Sequence, residues 1–122
     1  MGAIPPWEAR DDVRSRAFCP RFHHAVELIG RRWTGAIVRV LLRGPHRFSE
    51  LAGAVPGLSE RLLSQRLREL EAEGLVVRRV IPGPPVGVEY ELTAAGRELE
   101  AVVTAVTAWA HQWRPPGEGD EG

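Results

Sequence analysis

Residues 58–75 read Leu-Ser-Glu-Arg-Leu-Leu-Ser-Gln-Arg-Leu-Arg-Glu-Leu-Glu-Ala-Glu-Gly-Leu. Ser59 stands where a helix N-cap belongs and Gly74 where a C′ residue belongs. Between them Leu62, Leu63, Leu67 and Leu70 recur at helical spacing, whereas Arg61, Ser64, Gln65 and Arg68 gather on the opposite arc. One face is core and the other is a strip of hydrogen-bond donors. Those side chains suit phosphates and base edges in a DNA major groove, so the segment is expected to be a recognition helix. Taken alone, the strip fits the solvated face of an ordinary amphipathic helix equally well, and its surroundings must decide.

Upstream, Ser49 is expected to cap a brief helix through Glu50, Leu51, Ala52 and Val55, and Pro56-Gly57-Leu58 makes the turn into the donor helix. A short helix, a turn containing glycine and a longer helix with a polar strip compose a helix-turn-helix. Downstream, Val76 to Ile81, an uncharged loop over 82–87 and Val88 to Leu92 read as a hairpin, the mark of the winged variant. His46-Arg47-Phe48 is long enough only for a bridge strand.

Working outward, Pro20 suits the first position of a helix carrying Phe22, Val26 and Ile29, with Gly30 closing it at C′. A second helix follows, its buried face marked by Trp33, Ile37, Val40 and Leu41. At the other end Thr93 is expected to cap one helix whose apolar stripe runs through Leu99, Val102, Val103, Val106, Trp109, Ala110 and Trp113. That stripe exceeds the needs of a small core, so a two-fold dimer burying Phe22, Leu99, Val102, Val103, Val106, Trp109 and Trp113 is expected. Residues 1–16 are expected to be an N-terminal arm and 115–122 a disordered acidic tail, flanking one domain over 17–114. The fold class is mainly α (α+β): a winged helix-turn-helix with extra N- and C-terminal helices for dimerisation.

At 122 residues and 43% apolar content the chain suits a single core. With no apolar run near the ~20 residues that span a bilayer, and no secretory layout at its start, it is expected to be cytoplasmic. Its formal net charge is zero, but the distribution is uneven. Residues 31–68 hold eight arginines against Glu50 and Glu60, a local +6, and residues 89–122 carry a net −5. All sixteen basic residues are arginine, the better bidentate partner for phosphate and guanine.

The order of elements and five local strings together resemble the HxlR family of winged helix-turn-helix transcription regulators, relatives of the MarR proteins. The strings are Cys19-Pro20, Gly30-Arg31-Arg32-Trp33-Thr34, Gly44-Pro45-His46-Arg47-Phe48-Ser49-Glu50-Leu51, Leu67-Arg68-Glu69-Leu70-Glu71 with Gly74-Leu75-Val76, and Val88-Glu89-Tyr90-Glu91-Leu92-Thr93. The resemblance implies a homodimeric DNA-binding regulator whose first and last helices form the dimer, some members sensing electrophiles or oxidants through a cysteine near the N-terminus. Where the family usually has a basic residue just before Val-Glu-Tyr, this chain has Gly87, so the wing tip is expected to hold phosphate poorly.

In that frame Ser59, Arg61, Ser64, Gln65 and Arg68 are expected at the duplex, Arg31, Arg32 and Arg47 on flanking backbone, and at most one of Arg78 and Arg79 toward DNA, because they alternate faces. Arg66 is expected on the core edge, its head seeking a carboxylate. Cys19, the only cysteine, stands at a helix start near Arg21 and His23, where a positive helix end favours the reactive thiolate. It is either a sensor of electrophiles and oxidants or a small inert residue. The expected partners are double-stranded DNA, a second copy of the chain and a small-molecule inducer, by way of Cys19 or the dimer interface. No histidine pattern suggests a metal, no grouping suggests catalysis, and no cofactor is expected. The rival reading is a winged-helix protein-interaction module that does not bind DNA.

Overall fold

The computed structural model describes residues 17–114; the expected arm over 1–16 and tail over 115–122 lie outside the described residues. The elements in order are α1 (Pro20–Ile29), α2 (Thr34–Leu41), β1 (His46–Arg47), α3 (Phe48–Ala54), α4 (Glu60–Ala72), β2 (Val76–Ile81), β3 (Gly87–Leu92), α5 (Ala94–Arg97) and α6 (Glu100–Trp113). The three strands form one antiparallel sheet in the order β1-β3-β2. This is an α+β winged helix, as the alternation of helical and two-residue periods requires. No helix among the described residues is long and apolar enough to cross a membrane.

The core gathers one face from each central element: Ile37, Val38 and Leu41 of α2, Leu51 of α3, Leu63, Leu67 and Leu70 of α4, Val76 of β2 and Leu92 of β3. Burying each such side chain contributes roughly 1.5–3 kcal/mol, so the three leucines of α4 alone hold that helix firmly in place. Its ends are defined as the sequence suggests. Ser59 Oγ accepts the Leu62 amide at 3.1 Å, and Gly74, at φ 79°, takes the left-handed turn that returns the Leu75 amide to the Leu70 carbonyl at 2.9 Å.

Four local expectations are corrected. Trp33 lies outside α2, in a left-handed turn at φ 79°, where its half-buried ring packs against Gly57 and carries the Arg32 guanidinium at 5.2 Å. Side-chain packing over-determines a backbone shape that a non-glycine residue adopts at a cost of about 1–3 kcal/mol. Gly30 closes α1 with a right-handed φ of −80°, and glycine is needed there because a Cβ would stand 2.7 Å from the Val26 carbonyl oxygen. Ser49 does not cap α3: the helix starts at Phe48 with Arg47 as its N-cap, two residues earlier than expected, and Glu50 reaches back to accept the Arg47 amide at 2.7 Å. The helix after Thr93 is broken. Thr93 Oγ1 accepts the Gly96 amide and donates to the Gly74 carbonyl, while Arg97 donates to the Leu92 carbonyl. These bonds fix α5 as a single turn, and α6 starts afresh at Glu100.

Candidate nucleic-acid interface

Helix α4 presents three chemically distinct arcs. The first is the leucine arc just described. The second holds Arg61, Ser64, Gln65 and Arg68, of which Arg61, Gln65 and Arg68 are exposed and Ser64 is half-buried. Arg68 Nη1 donates to Ser64 Oγ at 2.8 Å, Gln65 Nε2 stands 3.4 Å from Glu69 Oε2, and Arg61 has no partner among the described residues. Neither arginine of this arc is paired with a carboxylate. Their positive charge is therefore available to an external anion.

The third arc is the opposite case. Arg66, Glu69 and Glu73 follow one another at i, i+3 and i+7 and face α1 and the turn after it. Arg66, its side chain only 12% exposed, donates Nε–H to the Arg32 carbonyl at 2.9 Å and Nη1–H to both oxygens of Glu69 at 3.2 Å. Glu69 also lies 3.7 Å from Arg31, and Glu73 lies 3.3 Å from Nε2 of His24. The expectation of a core-edge Arg66 holding a carboxylate is met. Arg31 and Arg32 are engaged within the chain by the Glu69 carboxylate and the Trp33 ring, and so stand apart from the donor strip.

The sheet divides the two wing arginines between its faces. Arg78 is opposite Tyr90 in the β2–β3 register, and both line a cleft of about 470 Å³ with Ser64, Leu67, Arg68 and Glu71 of α4. Arg79 points to the other face, where its Nε donates to Glu91 at 2.9 Å. Of the pair, Arg78 is the one that shares a surface with the donor strip. Arg47, on β1, is exposed beside Gly87 at the root of the wing.

The chain matches the HxlR-like helix-turn-helix family over residues 28–118, most of its length. This chain is a member of the HxlR-like family. The HxlR-like chain is 49% identical over 98 residues to the uncharacterized HTH-type transcriptional regulator YvaP of Bacillus subtilis (strain 168), covering 80% of this chain and 91% of that one. Its structure is similar to the reduced form of the transcriptional regulator YodB from B. subtilis, at 44% identity and TM-score 0.74, covering 83% of this chain and 99% of that one. The quinone-bound form of YodB is similar at 41% identity and TM-score 0.70, covering 79% of this chain and all of that one. The HxlR-like fold thus carries its donor strip on the second helix of a helix-turn-helix, the helix that enters the major groove in that motif.

Cys19 is the N-cap of α1, half-buried, its Sγ accepting the Phe22 amide at 3.4 Å. Helix α1 buries no residue: Phe22 is 69% and Val26 49% exposed. On α6, Val102, Val106, Trp109 and Trp113 are exposed as well, Trp113 to 65%. The expected interface set divides here, since Leu99 and Val103 pack against the chain's own core. A groove of about 690 Å³ lies between α2, α3 and α6, with Val40, Val55 and Val103 in its lining and Arg39 tied to Thr107 at 2.8 Å. Among the described residues no group of three His, Cys, Asp or Glu side chains is arranged to hold a metal ion.

Proposed function

We propose that this chain is a sequence-specific DNA-binding transcriptional regulator that acts as a homodimer on a palindromic operator. The observation that carries this reading is the arc of Arg61, Ser64, Gln65 and Arg68, its arginines unpaired with carboxylates on the second helix of a winged helix-turn-helix, with Arg78 alongside. Arg61 and Arg68 contact phosphates or guanine edges, Gln65 suits an adenine edge, and Ser59 with the first amides of α4 seats a phosphate. Arg31 and Arg32 support the helix from behind and reach flanking backbone only by leaving their internal partners. Arg79, held by Glu91, adds little. The chain acts by binding, without a catalytic step, in the cytoplasm where the operator lies.

The uncovered apolar faces of α1 and α6 support the dimer, with Phe22, Val102, Val106, Trp109 and Trp113 at its centre and Leu99 and Val103 beneath. Two-fold symmetry sets the recognition helices about 34 Å apart, matching half-sites one helical turn apart. Sedimentation equilibrium at micromolar concentration should give a dimer; a stable monomer would contradict it.

Cys19 is the proposed switch, supported by its place at the start of a dimer helix and by the likeness to YodB, a protein whose quinone-bound form is known. A quinone-class electrophile adds at a ring carbon to the sulfur; the C–S bond forms and the thiol proton passes to a ring oxygen, leaving a substituted hydroquinone with no further oxidant required. The third arc of α4 transmits the change, because His24, Arg31 and Arg32 connect α1 and its turn to Glu73, Glu69 and Arg66. Alkylation should change duplex affinity in the native chain and leave the Cys19→Ser variant unaffected; an equal effect on both would remove Cys19 from the account. The rival, a protein-interaction module, is favoured by the zero net charge and the uncharged wing tip. It is separated by duplex affinity that falls steeply with salt, which such a module lacks.

A further inference from the structure

The tip of the wing over 82–86 carries no charge, yet a guanidinium sits at its root. In the antiparallel register Arg47 of β1 and Arg79 of β2 are both opposite Glu89 of β3, which places the Arg47 side chain on the sheet face away from the Arg78 cleft, with Gly87 two residues along the same face. From there it would reach DNA around the wing, from the side opposite the donor strip. The guanidinium is laid over that glycine. Its Nη1 is 2.7 Å, its Cζ 3.2 Å and its Nη2 3.6 Å from the position a Cβ would take at Gly87. The two carboxylates of this face leave it alone: Glu91 takes Arg79, and Glu89 is in no ion pair. Among the described residues the Arg47 side chain has no hydrogen-bond or ionic partner, although its own amide is taken by Glu50. A guanidinium without a carboxylate, steered by a bare glycine to the base of an uncharged loop, is a charge positioned for an external anion.

We propose that Arg47 is the wing's contact to the DNA backbone, delivered from β1 across Gly87, and that Gly87 is a positioning residue whose missing side chain makes the seat. The inference rests on the DNA-binding reading above and assigns it a residue pair. It also reverses the expectation that Gly87 deprives the wing of its phosphate contact, because the charge arrives from the neighbouring strand.

Gly87 has no left-handed φ, so alanine is tolerated by the backbone, and the atoms its methyl group would meet are the far end of a flexible side chain. Gly87→Ala therefore moves the guanidinium without disturbing the fold. The test is titration of a long mixed-sequence duplex over a range of salt with the native chain, Arg47→Ala, Gly87→Ala, the double variant and Arg79→Ala. Loss of one phosphate contact lowers the slope of log affinity against log salt by about 0.9. Arg47→Ala and Gly87→Ala should each show that drop with about tenfold weaker binding, and the double variant should lose no more than either alone, since both remove one contact. Arg79→Ala should keep the native slope. If the native chain binds with a steep slope and Arg47→Ala or Gly87→Ala matches it, or if their losses add, the Arg47 seat is wrong and DNA binding stands. If the native chain binds no duplex, both fall.

Discussion

Two sides of one helix, only a few ångströms apart, put the same residue type to opposite uses. On the α1-facing side of α4, Arg66 is nearly buried, and its guanidinium is consumed by the Arg32 carbonyl and Glu69. On the opposite arc, Arg61 and Arg68 are exposed and meet at most a serine hydroxyl. What separates them is the supply of acceptors in the chain itself. Where an acceptor is built in, arginine is a structural tie; where none is provided, it is free to bind an anion. The helix is therefore both anchored and available, and the charge pattern rather than the charge total carries that distinction.

The comparison can be broken from either side. Arg61→Ala and Arg68→Ala should each weaken duplex binding by about 1–3 kcal/mol with the melting temperature unchanged, measured by anisotropy titration beside thermal unfolding. Arg66→Ala should act the other way round. It strands a carboxylate and a carbonyl at a partly buried site, costing about 1–3 kcal/mol of stability in urea unfolding. Glu69→Gln should leave duplex affinity of the unmodified protein close to native while blunting its response to alkylation of Cys19, because it loosens the tie to Arg31 and Arg66. A full response in that variant would show that the signal travels elsewhere. Gly74→Ala should destabilise by about 1 kcal/mol through the left-handed turn that ends α4, seen as a lower denaturation midpoint. Smallest of all, Arg79→Ala removes a largely exposed pair with Glu91 and should shift stability by less than about 1 kcal/mol.

The sequence carries the local part of this picture well. Ser59 and Gly74 bracket α4, the hairpin follows from two short apolar runs around a proline-rich loop, and the donor arc is visible on a helical wheel. What escapes it depends on partners distant in the chain. Trp33 is held outside α2 by packing on Gly57, Thr93 is tied to the Gly74 carbonyl at the end of α4, and Glu69 unites Arg31 with Arg66 across more than thirty positions. Leu99 and Val103 look identical to Val102 and Val106 on the stripe, and only the packing of α6 against α2 separates core from uncovered surface. The seat of Arg47 on Gly87 is legible only once the β1–β3 register is known.

The most direct test of the central claim is duplex affinity as a function of salt for the native chain and for a variant in which Arg61, Ser64, Gln65 and Arg68 are all alanine. Binding by the native dimer should be tight and steeply salt-dependent, and it should collapse in a variant that still folds and dimerises. Retention of native affinity and slope by that variant would contradict the claim.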